Sequence, residues 1–251
     1  PAILFPRVKG SRFPAVSNLY GTWQRVLMLF EPQLEQVRSL VETVSDPRQR
    51  VKHPAGIFRA VPSLVHALPL RTGSAKVMHN RCAIHDLPMI QCWPEDGGAF
   101  ILLPQVFSMA PDSRSVLTSN LGMYRIQISG NDYLFDTEVG LHYQLHRGIG
   151  NHHKAAIEMN RPLKVSIFVG GPPAHTLAAV MPLPENVPEI AFAGALAGRN
   201  FRYVKDKGHV ISADADFCIT GTIVPGRTKK EGPFGDHLGY YSLAHDYPYL
   251  R

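Results

Sequence analysis

The sequence predicts an α+β fold, with a small amino-terminal α/β portion over residues 1–75 and a strand-rich domain over residues 76–251. The chain has 21 glycines and 21 prolines among 251 residues, about 17% against an average near 12%, which favours a turn-rich fold over a helical bundle. Short apolar runs between turn residues outnumber segments with helical spacing. A basic, proline-rich stretch over 45–75 separates the two patterns and suggests the boundary.

The amino-terminal portion is predicted to start with two strands and to continue into helices. Apolar runs at 3–5 and 13–19 flank a turn that contains Gly10. A helical segment follows from 21 to 30, and Pro32 is expected to start a second helix. The sequence Asp46-Pro47 ends that helix, and its apolar residues recur at helical spacing: Leu34, Val37, Leu40, Val41 and Val44.

The second portion is predicted to consist mainly of strands with a few short helices. Turn signals such as Asp-Gly-Gly, Pro-Asp-Ser and Gly-Asn-Asp separate the apolar runs. Strands are expected at 77–84, 100–107, 122–129, 132–135, 163–170, 201–205 and 217–224. Helices are expected at 151–159 and 189–197, and a short helix or a turn at 174–180. Strands interleaved with few helices indicate either a β-barrel or an α+β sheet.

Composition excludes several classes of protein. The formal charge of +6 permits an anionic partner, but the basic residues are scattered, so binding to nucleic acid is not expected. Cys82, Cys92 and Cys218 form no CxxC spacing, which argues against a disulfide framework or structural zinc and fits a reducing cytoplasm. The apolar stretches at 100–110 and 190–198 fall short of the ~20 residues of a transmembrane helix, and no signal peptide is expected.

Two loops concentrate candidate catalytic or metal-binding groups. A loop rich in glycine and proline holds Glu231 and Asp236, five residues apart. Two neighbouring carboxylates push their pKa values apart and can separate an acid from a base, although a surface turn with solvated acids explains the same spacing. A second segment, 140–148, holds His142 and His146 four residues apart. That spacing suits a shared metal ion, and equally suits ordinary hydrogen-bonded histidines.

Two further charged residues stand out against apolar surroundings. Arg125 lies in an otherwise apolar predicted strand, which indicates a partner anion unless its charge is at the surface. Glu189 opens a predicted helix, where the positive end of the helix dipole favours a carboxylate. Simple capping of the helix explains Glu189 equally well, and Asn120 is consistent with a turn residue.

Taken in order, these motifs resemble those of the UbiD family of decarboxylases. The matching segments run through the whole chain: PAILF at 1–5, NLYGT at 18–22, CWPED at 92–96, NLGMYR at 120–125, HRG at 146–148, AAVMPLP at 178–184, EIAFAG at 189–194 and EGPFGDH at 231–237. The resemblance implies that the domain over 76–251 is a split β-barrel that binds prenylated FMN. It also implies a non-oxidative, reversible decarboxylation of an aromatic or α,β-unsaturated carboxylic acid.

The resemblance assigns roles to individual residues. The implied catalytic residues are Arg125, Glu231 and Asp236, with Asp236 as the proton donor after CO2 leaves and Glu231 tuning Arg125 and the flavin. The implied ligands of a divalent metal, usually manganese and with potassium as a further cation, are Asn120, His146 and Glu189. The implied cofactor contacts are Met123, Tyr124, Arg125, Tyr143, Gln144, Leu145, Arg147, Gly148, Met181 and Pro182. Decarboxylation at an sp2 carbon needs an electron sink, which the flavin supplies, and a proton, which the protein supplies.

The chain departs from the resemblance in length, because family members usually carry a further carboxy-terminal domain. We therefore expect a fragment, a split subunit or a reduced homologue, in which a homo-oligomer or a partner chain completes the site. A flavin prenyltransferase would supply the cofactor. A non-catalytic subunit or scaffold of such a decarboxylase is the alternative function, and a plain FMN-dependent oxidoreductase is a third. The complete set Arg125, Glu231 and Asp236 favours the enzyme, and the identity of the carboxylic acid stays open.

Overall fold

The computed structural model describes residues 1–45, 61–144, 146, 148–184 and 187–251. The helices are α1 (Trp23–Ser45), α2 (Ile149–Glu158), α3 (Pro173–Val180) and α4 (Glu189–Ala197), and residues 61–66 are helical as well. The strands are β1 (Ile3–Phe5), β2 (Ala15–Ser17), β3 (Leu70–Arg71), β4 (Phe100–Ile101), β5 (Gln105–Ser108), β6 (Asn120–Gly122), β7 (Ile126–Gln127), β8 (Val139–Leu141), β9 (Leu163–Val169), β10 (Arg202–Asp206), β11 (His209–Ser212), β12 (Phe217–Glu231), β13 (Phe234–Gly235), β14 (Tyr241–Ser242) and β15 (His245–Leu250).

An eight-stranded antiparallel sheet organises the molecule, in the order β4-β7-β8-β15-β12-β9-β5-β6. The long strand β12 is central because its first half pairs with β9 and its second half pairs with β15. The register with β15 shifts between Ile223 and Thr228, and such an irregularity bends a strand. Smaller sheets join β1 to β2, β13 to β14, and β10 to both β11 and β3.

Strand β9 shows why this sheet is buried on both faces. Successive side chains of a strand point to opposite faces. Val165 and Ile167 enter one apolar cluster, while Phe168 enters another that includes α3 and α4. All three side chains are fully buried. The second cluster also packs against Leu121 of β6, so the helices cover the edge of the sheet where the predicted site residues begin.

Helix α4 approaches its neighbours closely because it is built from small residues. A Cβ atom on Gly194 would lie 2.2 Å from the backbone oxygen of His66, so this contact requires glycine. The helix ends at Gly198, which adopts the left-handed conformation of a common helix terminator. This packing fixes the position of Glu189, the first residue of α4.

Helix α1 corrects the expectation of two helices separated at Pro32. The structure has a single helix that continues through Pro32. An internal proline removes one helical hydrogen bond and costs about 3 kcal/mol. Phe30 and Val37, on either side of it, are both buried in the cluster with α4, and this packing keeps the two turns in one helix. The side chains of Leu40, Val41 and Val44, the end at Asp46-Pro47 and most of the 45–75 connection lie outside the described residues.

The strands at 3–5, 13–19, 163–170, 201–205 and 217–224 and the three later helices are confirmed, with shifted ends. The other predicted strands are interrupted or wrong. The run 100–107 divides into β4 and β5 at Pro104, which has no N–H to donate. Within the run 122–129, only Gly122, at the end of β6, and the two residues of β7 are in strands. The runs 77–84 and 132–135 form short helical turns or loops, the latter between Asn131 and Asp136, which have positive φ.

The mixed α/β class with a large antiparallel sheet is confirmed. The sheet order begins at β4 and ends at β6, and closure into a split barrel stays a prediction, as does the domain boundary at residue 75. Along the described ranges of the chain, none of the helices is both long and apolar enough to cross a membrane.

Candidate active site

A buried ion pair between Arg125 and Glu231 forms the centre of the candidate site. Arg125 directly precedes β7 and Glu231 ends β12, so the sheet joins residues that are distant in sequence. The guanidinium Nε donates to Glu231 Oε1 and Nη2 donates to Oε2, both at 2.8 Å. Glu231 is fully buried, and 14% of the Arg125 side chain is exposed. This two-point pairing fixes the plane of the guanidinium.

Three further side chains surround the ion pair. His142 Nδ1 lies 2.9 Å from Glu231 Oε2 and 3.0 Å from Arg125 Nη2. Ser242 Oγ accepts a hydrogen bond from the same Nη2 at 3.0 Å. The Tyr247 ring packs on the His142 ring at a centroid distance of 4.2 Å, and the Tyr247 hydroxyl lies 3.4 Å from His142 Nε2. The five side chains form one polar cluster, named here the Arg125 cluster.

The pKa of Glu231 lies below its ordinary value, although the side chain is buried. Burial alone raises the pKa of a carboxyl group, because the charged form loses its hydration. Here the hydrogen bonds from His142 and Arg125 and the charge of Arg125 outweigh burial and lower the pKa. Glu231 is therefore a carboxylate at neutral pH and holds the guanidinium in place.

Asp236 lies on the turn of the β13–β14 hairpin, next to the Arg125 cluster. The hairpin contacts the cluster through Phe234, whose ring lies 4.4 Å from the Arg125 guanidinium carbon. The Asp236 carboxylate accepts the backbone N–H two residues later and lies 3.0 Å from His237 Nδ1. In the described contacts it meets neither Arg125 nor Glu231. The structure brings two of the three predicted catalytic residues together and places the third on the adjoining hairpin.

Buried side chains hold the loop that follows Glu231. Gln127 Oε1 accepts the backbone N–H of Gly232 at 2.8 Å, and Asp96 Oδ1 accepts that of Gly235 at 2.7 Å. Both acceptors are buried. The CWPED motif, to which sequence reasoning assigned no role, thus ends in the carboxylate that anchors this loop.

Predicted cofactor residues from two distant segments lie side by side. The backbone N–H of Met123 donates to the carbonyl of Ala179 at 2.9 Å. Ala179 belongs to α3, and Met181 and Pro182 follow the end of that helix. Met181 and Pro182 are exposed, while Met123 packs against the core. An apolar edge of the candidate site therefore faces solvent at 181–182.

Tyr124, Tyr143 and Gly148 lie next to one another in a tight arrangement. A Cβ atom on Gly148 would lie 2.4 Å from Asn120 Oδ1 and 2.5 Å from the Tyr124 hydroxyl, and its φ of +54° is also unfavourable for other residues. The rings of Tyr124 and Tyr143 have centroids 6.1 Å apart. Burial raises the pKa of both tyrosines, so they remain neutral phenols. The Tyr143 hydroxyl lies 2.7 Å from His153 Nδ1.

Two of the three predicted metal ligands are neighbours in the structure. Glu189 Oε2 accepts the backbone N–H of Leu121 at 3.1 Å, which places its carboxylate beside Asn120. Burial raises the pKa of Glu189, although the backbone N–H groups of Leu121 and of Glu189 itself oppose it. His146 is exposed, and no described contact joins it to Asn120 or Glu189. Within the described residues, no three His, Cys, Asp or Glu side chains are arranged to hold a metal ion.

No described contact places the remaining predicted cofactor residues at the candidate site. Gln144 is exposed, and Leu145 and Arg147 lie outside the described residues. Sequence reasoning did not identify Ser242 or Tyr247, because a serine or tyrosine in a strand gives no distinctive signal. The spacing did draw attention to His142 and His146, and left open a shared metal ion or ordinary hydrogen-bonded histidines. The structure places His142 against Arg125 and Glu231, as a hydrogen-bonded histidine.

The fold and this site define a mixed α/β protein with a buried arginine–carboxylate centre, and family models identify it further. The model described as 3-octaprenyl-4-hydroxybenzoate carboxy-lyase Rift-related domain matches residues 69–251, and the N-terminal domain of the same family matches residues 1–44. The chain belongs to the UbiD family.

Curated relatives agree with this assignment. A Chlamydia trachomatis protein is 39% identical and covers all of this chain, which spans 43% of that protein. A Chlamydia pneumoniae protein, named as one subunit of a 4-hydroxybenzoate decarboxylase, is 38% identical over 99% of this chain and 42% of its own length. The chain thus spans less than half the length of these relatives.

Solved structures show the same fold at lower identity. The vanillic acid decarboxylase of Sedimentibacter hydroxybenzoicus in its closed form superposes with a TM-score of 0.81 at 24% identity, over 100% of this chain and 52% of the other. An evolved dimeric form of the UbiD-class enzyme HmfF of Pelotomaculum thermopropionicum, in complex with prFMN, superposes with a TM-score of 0.77 at 24% identity, over 99% of this chain and 54% of the other.

Proposed function

We propose that this chain carries the catalytic core of a reversible, non-oxidative decarboxylase that uses prenylated FMN to act on an aromatic or α,β-unsaturated carboxylic acid. The observation that supports this most is the buried, two-point pair of Arg125 and Glu231 in a UbiD-family fold. A guanidinium held in one plane suits recognition of a planar carboxylate group. Under this proposal, the sheet over 76–251 is the split barrel that surrounds the flavin.

Arg125 is the residue we assign to the substrate carboxylate. Its Nε and Nη2 atoms are used by Glu231 and Ser242, whereas the described hydrogen bonds leave Nη1 free for an anion. A charge-assisted hydrogen bond from Nη1 would hold the carboxylate before CO2 departs. Glu231 keeps the guanidinium oriented during this step.

Asp236 is the residue we assign to proton delivery. Its carboxyl group would donate a proton to the carbon that loses CO2, as a general acid. The hairpin that carries it already contacts Arg125 through Phe234 and Ser242. A small movement of the hairpin turn would bring the carboxyl group to the substrate.

The residues present fit a flavin phosphate held through a metal ion. The partly buried Glu189 carboxylate has no cationic partner among the described contacts, and Asn120 offers an amide oxygen beside it. Oxygen ligands with one imidazole suit manganese. Asn120, Glu189 and His146 would hold the metal, and Met123, Tyr124, Tyr143, Gly148, Met181 and Pro182 would line the cofactor. Prenylated FMN, when bound, supplies the electron sink for the decarboxylation.

A second candidate is a non-catalytic or split subunit, or a scaffold, of such a decarboxylase that needs a partner chain. The relative from Chlamydia pneumoniae is named as one subunit of its decarboxylase, and the Sedimentibacter enzyme is named ShVdcCD. Such a chain would hold flavin in the assembly but would decarboxylate only when its partner is present. We expect a soluble cytoplasmic location in either case.

Co-expression with a flavin prenyltransferase tests the proposal. We expect the purified chain to carry flavin, seen in its absorbance spectrum, and manganese, measured by elemental analysis. Expression without the prenyltransferase is the control for prenylation. If neither flavin nor metal co-purifies, the enzyme proposal for this chain fails. Flavin and metal without turnover on a panel of aromatic and α,β-unsaturated acids would favour the subunit.

A further inference from the structure

His142 lies between the buried Arg125–Glu231 ion pair and solvent. The exposed fraction of the side chain is 0% for Glu231, 14% for Arg125 and 32% for His142. His142 contacts Glu231 through Nδ1, on the inner side of its ring. The Tyr247 hydroxyl lies on the outer side, 3.4 Å from Nε2. The imidazole therefore spans the distance from a fully buried carboxylate to the surface.

The hydrogen bonds of Arg125 decide which ring nitrogen of His142 carries the proton. Arg125 Nη2 has two hydrogens, and Glu231 Oε2 and Ser242 Oγ both lie within 3.0 Å of it to accept them. Nδ1 is then left without a donor from Arg125. An unprotonated Nδ1 would place its lone pair 2.9 Å from a carboxylate oxygen, which is repulsive. A proton on Nδ1 turns the same contact into a charge-assisted hydrogen bond.

We propose that His142 is a positioning residue for the decarboxylation proposed above: it donates from Nδ1 to Glu231 Oε2 and keeps this buried group ionised, so that Arg125 stays oriented. The other titratable groups that face the imidazole are Arg125 beside β7, Glu231 on β12 and Tyr247 on β15. Protonation of Glu231 would remove one acceptor of the two-point pair, and the guanidinium would lose its fixed plane.

The first test is nitrogen NMR of the flavin-free full chain labelled at histidine nitrogens. At pH 7.5 to 8 we expect a spectrum in which Nδ1 of His142 carries a proton. A His142 spectrum of the tautomer protonated at Nε2 overturns the proposal. This measurement needs no substituted protein, so it does not depend on a variant that folds.

The second test follows the Glu231 carboxyl carbon by NMR during an acid titration. His142→Phe keeps a ring against Tyr247 but removes the donor, and His142→Asn keeps a donor near the position of Nδ1. We expect the Glu231 midpoint to move upward by about one pH unit in His142→Phe, a tenfold change in proton affinity, and to recover partly in His142→Asn. His79→Phe, at an exposed histidine outside the Arg125 cluster, is the matched control and should leave the midpoint unchanged.

The two kinds of failure are separable. An unchanged Glu231 midpoint in a folded His142→Phe protein overturns the role of His142, whatever the activity. A shifted midpoint in a protein that never decarboxylates overturns the proposed function and leaves the electrostatic role intact. In active, flavin-loaded protein, we expect the acidic limb of the kcat–pH profile to move to higher pH in His142→Phe, with little change in KM. His142→Asn should restore the limb in part. A purely structural role would lower kcat without moving the limb.

Discussion

Two glutamates of the candidate site, Glu231 and Glu189, are both desolvated, yet their pKa values move in opposite directions. At Glu231, Arg125 and His142 outweigh burial and lower the pKa. At Glu189, burial raises the pKa by more than the hydrogen bonds from the backbone N–H groups of Leu121 and Glu189 lower it. The Arg125 cluster therefore satisfies its own charges with protein groups. The Glu189 side chain, by contrast, has no cationic partner among the described contacts and is suited to binding a cation.

This difference shows which half of the candidate site is organised before a cofactor or metal ion binds. The Arg125 cluster is held by hydrogen bonds of 2.8 to 3.0 Å, so its geometry belongs to the folded chain. Among the described hydrogen bonds, the one from the backbone N–H of Leu121 to Glu189 holds the Glu189 carboxylate beside Asn120. A bound metal ion would bring His146 next to Asn120 and Glu189.

Removing Arg125 should have the largest effect, because it leaves Glu231 buried without its main cation. We expect Arg125→Gln to lower the free energy of unfolding by about 4 kcal/mol, the usual cost of breaking a buried pair, and to lower kcat/KM for decarboxylation by about a thousandfold. Urea unfolding and steady-state kinetics measure the two effects. Glu231→Gln added to Arg125→Gln should restore part of the stability, since it removes the stranded charge.

The matched control is Lys154→Gln, because Lys154 pairs with Glu158 and both side chains are exposed, 75% and 65%. An exposed pair contributes about 1 kcal/mol or less. Equal destabilisation by the two substitutions would mean that the Arg125 cluster is no more organised than a surface ion pair, and the comparison with Glu189 would lose its basis.

Substitution of Gly148 should have an intermediate effect and reports on the packing of the predicted cofactor cradle. Gly148→Ala places a methyl group against Asn120 and Tyr124 at a positive φ. We expect a loss of about 3 kcal/mol in urea unfolding, together with loss of bound flavin. Gly226→Ala is the control, since Gly226 also has positive φ but no atom within 4 Å of the added methyl. That variant should lose about 1 kcal/mol and keep its flavin; a similar loss in both would remove the argument for a tight cradle.

The sequence predicted the class of fold from its turn residues and short apolar runs. The resemblance predicted that Arg125 and Glu231 act together, because both residues lie in short motifs of the family. Sequence reasoning failed where tertiary contacts override local signals. Pro32 indicated a helix start, but packing of α1 on α4 carries the helix through it. The spacing of His142 and His146 left a shared metal ion and ordinary hydrogen bonding both open, and it did not indicate the His142 partners on β12 and β15, over 80 residues away in sequence. No periodicity in one strand reports which residue of another strand lies opposite.

The smallest effect is expected from Glu189→Gln, and it tests the other half of the comparison. Gln keeps an oxygen to accept the Leu121 N–H and removes a charge that burial disfavours. The flavin-free variant should therefore unfold at a urea concentration at least as high as the parent protein does. The difference appears when manganese is added. A ligand at a hundredfold excess over its Kd stabilises the folded state by about 2.7 kcal/mol, and we expect this gain in the parent protein and its loss in Glu189→Gln. Glu158→Gln, at an exposed helical carboxylate paired with Lys154, should keep the gain. Equal stabilisation of all three proteins by manganese would show that Glu189 does not hold the cation.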